Sequence, residues 1–424
     1  MSFILDTVRS FDGVCTCKRH HKTSVRDVRI GSGLVNSVGE ILRENNFPKN
    51  ILLVSDENAI KASEGIKESL GGFEVEYLIW KDMRLATTEH VDEVASLIRG
   101  KDIAILSVGT GSVNDPCRLA AAREDKLLCI FGTAPSMDGF ASYGAPILQN
   151  GFKLSFDAKS PEVIIGDTKI LASAPRELKS SGFGDMVAKY VGLIDWRISS
   201  LLTNEPYCER VAALTESAIN TLMGMADRVT LNDEETAGKI FEALLMTGIG
   251  MSFMQNSRPA SGSEHVIAHL MECIQLKRGE IEYPNLHGED VGVATLEMLK
   301  LYESYAENER IYAKKEDMNK EEIYAYYGSL ADDIKKFNEP DTVCDLFTPK
   351  DLEDNWQKIR DIIHSYPSYS ECRDAMQRAG CKITVKDIGK SQQLFDECVK
   401  YSPYMRRRLT LLRIRDMIII PKGD

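Results

Sequence analysis

Apolar and polar positions follow two rhythms along the chain, and the change from one to the other divides it. Through residues 1–172 short, wholly apolar runs alternate with amphipathic stretches. Ile51-Leu52-Leu53-Val54, Ile103-Ala104-Ile105-Leu106-Ser107-Val108 and Leu127-Leu128-Cys129-Ile130-Phe131 read as strands covered on both faces. Between the first two lies Val91 to Arg99, where Val91, Val94, Ala95 and Ile98 recur at the helical period. Such βαβα order predicts a parallel sheet with helices on both sides and ligands at the carboxyl ends of its strands. From Ser173 onward helical periodicity dominates, in 185–202, 211–225 and 234–251, with few strand-like runs. The expectation is an α/β domain with a Rossmann-like parallel sheet over 1–172 and an all-helical domain over 173–424. Ser173-Ala174-Pro175 and Ser180-Ser181-Gly182 punctuate the junction.

Composition narrows the function classes. A chain of 424 residues, 43% hydrophobic and 27% charged, has material for two cores. Its net charge of -12 argues against nucleic-acid binding, which needs clustered lysine and arginine. No apolar run is long enough to span a bilayer, and no basic segment leads into an apolar leader, so a cytoplasmic protein is expected. The ten cysteines are scattered, as reduced thiols would be. Cys15-Thr16-Cys17 with His20-His21 lacks the spacing of a zinc-binding pair and a second pair beyond it; an exposed N-terminal segment is expected instead. The run Arg406-Arg407-Arg408 reads as a solvated helix face.

Two segments carry candidate nucleotide chemistry. The second apolar run leads into Gly109-Thr110-Gly111-Ser112-Val113-Asn114-Asp115, followed by the Ala-rich helical stretch 118–123. Glycines there admit a pyrophosphate to the backbone, and the helix start favours its charge. The usual dinucleotide fingerprint is incomplete, because Asn114 stands where it requires glycine. Asp56, ending the first run, suits either an adenosine ribose or the cap of a helix. Thr133-Ala134-Pro135-Ser136-Met137-Asp138-Gly139 follows the third run and suits a loop touching nicotinamide.

The helical half holds a candidate metal centre. Asp185 stands in Gly184-Asp185-Met186, His265 and His269 in Ser261-Gly262-Ser263-Glu264-His265-Val266-Ile267-Ala268-His269, and His287 opens His287-Gly288-Glu289-Asp290-Val291-Gly292. Spacing alone would make His265 and His269 joint ligands on one helix face. Imidazole and carboxylate together suit zinc, nickel, cobalt or iron(II). Asp185, His265 and His287 as ligands would leave a position open for a substrate oxygen, in a cleft facing the nicotinamide.

Four segments together, TAPSMDG (133–139), GDMVAKYVGLIDWR (184–197), RPASGSEHVIAH (258–269) and LHGEDVG (286–292), resemble the sn-glycerol-1-phosphate dehydrogenases. These belong with the iron-type alcohol dehydrogenases, glycerol dehydrogenase and dehydroquinate synthase. The likeness runs in order through about residues 25 to 415. It implies the dehydroquinate synthase-like fold and reversible reduction of dihydroxyacetone phosphate to sn-glycerol 1-phosphate with NAD(H) or NADP(H). By position it implies cofactor contacts from Gly111, Ser112, Val113, Asn114 and Asp115, from Thr133, Ala134, Pro135 and Ser136, and from Ser142. It gives Asp138 and His269 to the substrate, Asp185 to both substrate and metal, and His265 and His287 to the metal. Against the spacing argument, His269 therefore leaves the ligand set. The glycine turn departs from relatives with three consecutive glycines. The chain's length is similar to that of the bacterial branch, which implies nickel (or zinc) and a homodimer.

Arg258, just before the metal helix, is a candidate for the substrate phosphate, with a structural salt bridge as the other reading. Competing activities are a glycerol or other polyol dehydrogenase, a lyase that uses NAD transiently, and a non-catalytic protein that has kept the fold.

Overall fold

The computed structural model describes residues 3–149 and 152–421. Six parallel strands form the sheet: β1 (Asp27–Gly31), β2 (Asn50–Asp56), β3 (Glu74–Trp80), β4 (Ala104–Gly109), β5 (Leu128–Gly132) and β8 (Val163–Asp167), in the order β1-β8-β5-β4-β2-β3. A separate antiparallel hairpin, β6 (Gly144–Gln149) and β7 (Phe152–Asp157), is inserted between β5 and β8. The apolar runs expected to be strands are β2, β4 and β5. Their side chains alternate between two cores. Ile51 and Leu53 pack with the helix Val38–Glu44, whereas Leu52 and Val54 face a larger core continuous with the helical half. Burial on both faces, worth roughly 1.5–3 kcal/mol per large aliphatic side chain, explains why these runs lack alternation.

Register brings the ends of the strands together. Ser55 pairs with Val108, and Gly109 with Gly132, so Asp56, the glycine turn and the 133–139 loop emerge side by side. The helix Gly111–Arg123 starts at this edge.

Beyond β8 the described elements are helical apart from the two-residue pair Tyr312–Ala313 and Ile418–Ile419. Three helices supply the candidate metal ligands: Arg176–Thr203, Ser263–Arg278 and His287–Ala306. The first and third cross at glycines. A Cβ on Gly288 would lie 1.9 Å from the Ser181 carbonyl oxygen, and one on Gly184 would lie 2.6 Å from that of Gly288. Only hydrogens fit between these backbones, and that contact draws His287 towards Asp185. Among the described residues no helix is long and apolar enough to cross a membrane, and the ten cysteines are free thiols.

Candidate active site

A cavity of about 1180 Å³ opens between the sheet's carboxyl edge and the helical half. On the sheet side its wall includes Asp56, Thr110, Gly111, Ser112, Asp115, Thr133, Ala134, Ser136 and Ser142. Of the two readings of Asp56, the structure shows the helix cap. The residue caps the helix Glu57–Ala62 by accepting the Ala59 N–H at 2.7 Å, and it also faces the cavity. Asp115 pairs with the buried Arg118 at 2.6 Å, and Arg118 donates to the Ser142 carbonyl and hydroxyl at 2.7 Å. Arg118 thus ties the glycine-turn helix to the loop after β5; an i,i+3 acid–base pair was its only mark in the sequence.

Three residues expected at the cofactor do not line the cavity. Asn114 is fully buried and accepts the Ser107 hydroxyl at 2.6 Å, and Val113 packs into the core. Their N–H groups bond the Thr110 carbonyl at 2.9 and 3.1 Å. Pro135 stands behind the wall, with its carbonyl oxygen against Gly182.

On the helical side the donor atoms of Asp185, His265 and His287 lie within 4.8 Å of one another. Asp185 sits in the third turn of its helix, which begins at Arg176 and not at Asp185 as the periodicity suggested, and is wholly buried. Its Oδ2 accepts the Asp138 N–H at 2.9 Å, and its Oδ1 lies 3.6 Å from His265 Nε2 and bonds Lys189 Nζ. Lys189 also pairs with Asp138 at 2.8 Å. Burial opposes the charge on Asp185, but Lys189 and the neighbouring imidazoles hold it well below the usual carboxylate range. Asp138 shifts the other way, raised by burial and by the Asp185 charge.

His265 is aimed by a chain of carboxylates. Glu264, fully buried, meets His265 Nδ1 at 2.6 Å and accepts the Gly262 N–H at 2.8 Å. Asp195, from the Arg176–Thr203 helix, takes the Ser263 N–H at 2.8 Å and the Tyr302 hydroxyl at 2.8 Å, anchoring the helix start. With Nδ1–H given to Glu264, Nε2 presents its lone pair to Asp185, the orientation a carboxylate imposes on a metal-binding histidine. Burial first, and then neighbouring cations, push His287 down to about 3 and His269 well below its ordinary value. His265 shifts the other way: burial lowers its pKa, but its bonds to Asp185 and Glu264 outweigh this and raise it. An ion would have to displace a proton there, whereas Asp185 and His287 are already in the ionised and neutral forms a divalent ion requires. The donor set therefore fits one.

His269 lines the cavity beside this group, its ring 6.1 Å from that of His265 and 5.6 Å from that of His287. Two cations missed in the sequence stand near it. Lys153, from β7, pairs with Glu272 at 2.8 Å, and Arg406 reaches the wall without an acidic partner among the described residues. Burial lowers the pKa of Arg406, and the charges of Lys153 and Arg406 are both felt at His269.

One expectation about arginine fails, and of the two readings of Arg258 the salt bridge is the one the structure shows. Arg406 to Arg408 do not form a helix face: they lie in a bend, with Arg406 on the cavity and Arg408 donating to the Ser261 carbonyl at 3.0 Å. Arg258 is 2% exposed and absent from the wall. Its guanidinium is taken up by Glu205 (2.8 Å), the Leu409 carbonyl (2.9 Å) and the Ser199 hydroxyl (3.1 Å). It holds the Ser257–Ala260 turn in place and has no free edge for a phosphate.

Known proteins fall in line with this geometry. A family model described as iron-containing alcohol dehydrogenase matches residues 29–175. A glycerol-1-phosphate dehydrogenase [NAD(P)+] of Methanosarcina mazei is 33% identical over 65% of this chain and 76% of its own length. The chain belongs to the glycerol-1-phosphate dehydrogenase family. The enzyme of that name from Halalkalibacterium halodurans is 29% identical over 97% of this chain and 98% of its own. In fold, the NADH-dependent butanol dehydrogenase A of Thermotoga maritima superposes with a TM-score of 0.60 at 16% identity, covering 93% of this chain and 92% of that one. Membership in the glycerol-1-phosphate dehydrogenase family makes the chain an oxidoreductase acting on a CH–OH group.

Proposed function

We propose that this cavity reduces dihydroxyacetone phosphate reversibly to sn-glycerol 1-phosphate, with NADH or NADPH as hydride donor. The observation that carries the reading is the meeting, at one cavity, of a helix start after a glycine turn, His265 and His287 backed by the buried Asp185, and an arginine with no acidic partner among the described residues. The relatives' names support the same substrate. The helix start at Gly111 and Ser112 suits the pyrophosphate, and Asp56 the adenosine ribose. Thr133, Ala134 and Ser136 flank the nicotinamide, with Ser142 and Asp115 held by Arg118. Val113, Asn114 and Pro135 contribute through the backbone geometry they fix.

Asp185, His265 and His287 hold a divalent ion, nickel or zinc, which when bound polarises the substrate carbonyl and lowers the pKa of the product alcohol. Asp138 orients the substrate while Lys189 balances the two buried carboxylates. His269, kept neutral by burial and by Lys153, exchanges the hydroxyl proton at its ring nitrogen. Arg406 meets the phosphate in place of Arg258. Two domains, 1–172 and 173–424, supply cofactor and metal respectively; the last sheet strand ends at Asp167, which supports that division. Cytoplasmic residence and a homodimer complete the reading, the first supported by cysteines that form no disulfide among the described residues and the second by the likeness to the bacterial branch.

The test is a comparison of dihydroxyacetone phosphate with dihydroxyacetone under NADH oxidation. The phosphate ester should be preferred by about a hundredfold or more in kcat/KM, near the value of a charge-assisted hydrogen-bond pair. Equal rates would favour a polyol dehydrogenase instead. Arg406→Ala should raise KM for the ester by roughly tenfold or more and leave the unphosphorylated ketone within about twofold. Arg258→Ala should do neither, and should cost about 2 kcal/mol of stability by stranding Glu205, which a denaturant titration will read.

A further inference from the structure

We propose that Cys15, Cys17, His21 and Cys208 form a second metal site, a closed structural zinc site of the Cys3His type outside the cavity. The four donor atoms lie within 4.8 Å of one another, although Cys208 stands 193 residues from Cys15. Cys15 Sγ is 3.7 Å from Cys208 Sγ, and His21 Nε2 is 3.3 Å from Cys17 Sγ and 3.4 Å from Cys208 Sγ. Ligands at roughly 2.3 Å (sulfur) and 2.0 Å (nitrogen) around a tetrahedral zinc stand about 3.8 Å apart for two sulfurs and about 3.5 Å for sulfur and nitrogen. The observed spacings sit within a few tenths of these.

The imidazole is set up as a ligand. His21 Nδ1 bonds the Phe253 carbonyl at 3.0 Å, so Nδ1 carries the proton and the bare Nε2 faces the thiols. Phe11 and Phe253 close around the ring at 5.5 and 5.6 Å. The peptide from Cys15 to Arg19 is wound into a turn that carries both sulfurs towards His21 and Cys208. The Lys18 N–H donates to the Cys15 carbonyl at 2.8 Å, the Cys15 N–H to the Arg19 carbonyl at 2.9 Å, and Lys18 takes a left-handed φ of 66°. That conformation is unfavourable for lysine and needs an outside constraint to persist.

Cys208 is fully buried, Cys15 and His21 are 5% exposed, and Cys17 is half-buried. The expectation of an exposed N-terminal segment therefore fails for Cys15, Cys17 and His21, and holds for Thr16, Lys18, Arg19 and His20. None of the four donors lines the cavity. A set of four protein donors with no open position marks a structural site, and thiolates select zinc over hard cations. The consequence is a clamp. It joins residues 15–21 to the start of the Glu209–Met223 helix and, through Phe253, to the helix Glu234–Met254, whose Met251 reaches the cavity.

The site can be read separately from the catalytic one. Protein purified under reducing conditions without chelator should carry about one equivalent of thiolate-bound zinc per chain even as the His265→Ala/His287→Ala double variant. Replacing that zinc with cobalt should give the thiolate-to-cobalt charge-transfer absorption of a tetrahedral site. Cys15→Ser/Cys17→Ser should lose the band and lower zinc to under about a tenth of an equivalent in the same histidine background. The histidine variant alone decides the matter if the cysteine variant does not fold. Folded protein without zinc and without the cobalt band overturns the proposal. So does alkylation followed by mass measurement showing Cys15 and Cys208 joined as a disulfide.

Discussion

His287→Ala should lower kcat/KM for dihydroxyacetone phosphate by about a thousandfold or more, roughly 4 kcal/mol of transition-state stabilisation, while the protein stays folded. His287 is chosen over the other ligands for a physical reason. Asp185 accepts from Lys189 and from the Asp138 N–H, so its replacement leaves a buried cation and a buried donor unmatched, and lost activity would be mixed with lost stability. His265 is bonded to the buried Glu264, with the same difficulty. His287 is half-buried, and its ring neighbours are the imidazoles of His265 and His269 at 5.2 and 5.6 Å. It also opens its helix, where the positive end of the dipole disfavours a charged imidazole and keeps a lone pair available. The alanine protein should melt within a few degrees of the parent, and metal analysis should find the cavity ion lost. Activity within about tenfold of the parent, with that ion gone, would remove metal from the mechanism.

The candidate ligands His265 and His287 were legible in the sequence because each sits in the first turn of its helix close to a glycine. Asp185, expected at a helix start, stands ten residues into its helix and was marked only by Gly184 beside it. The groups that act on these ligands were less legible. Lys189 is marked only by its distance of one helical turn from Asp185, a spacing shared by many surface ion pairs. Arg258 is turned away from the cavity and Arg406 lines it, because proximity in sequence to a metal helix does not say where a long side chain turns. Glu205, some fifty residues earlier, captures Arg258, whereas Arg406 has no such partner among the described residues. In the sheet, β2, β4 and β5 announced themselves as continuous apolar runs because both faces are covered. β3, with the sequence EVEYLIW, escaped because it is an edge strand, and β1 (DVRIG) because it is an edge strand too short to show a period. The Cys15–Cys208 pairing lay beyond any spacing rule, since the chain between them builds the whole sheet.

Gly288→Ala should be among the most damaging single-carbon changes at the described residues. The added Cβ would meet the Ser181 carbonyl oxygen at 1.9 Å, the carbonyl carbon at 2.7 Å and the Ser181 hydroxyl oxygen at 2.9 Å. These neighbours are largely backbone of the Arg176–Thr203 helix, so no rotamer change relieves the contact, and the two helices must separate by an ångström or more. Overpacking of a well-filled core typically costs about 1–3 kcal/mol. Here the Ser181 hydroxyl also loses its bond from the Gly288 N–H, now 3.1 Å, which adds about 1 kcal/mol. The loss should therefore approach 4 kcal/mol, read as a lower midpoint in denaturant with the slope unchanged. The functional effect follows from the same displacement. His287 and Asp185 ride on the two helices being forced apart, and coordination tolerates only a few tenths of an ångström in ligand distance. The cavity ion should be held at least tenfold more weakly and kcat should fall with it, while Arg258→Ala, which also destabilises, should leave metal affinity alone. Equal metal affinity in the alanine protein and the parent would mean that the crossing is not what positions the centre.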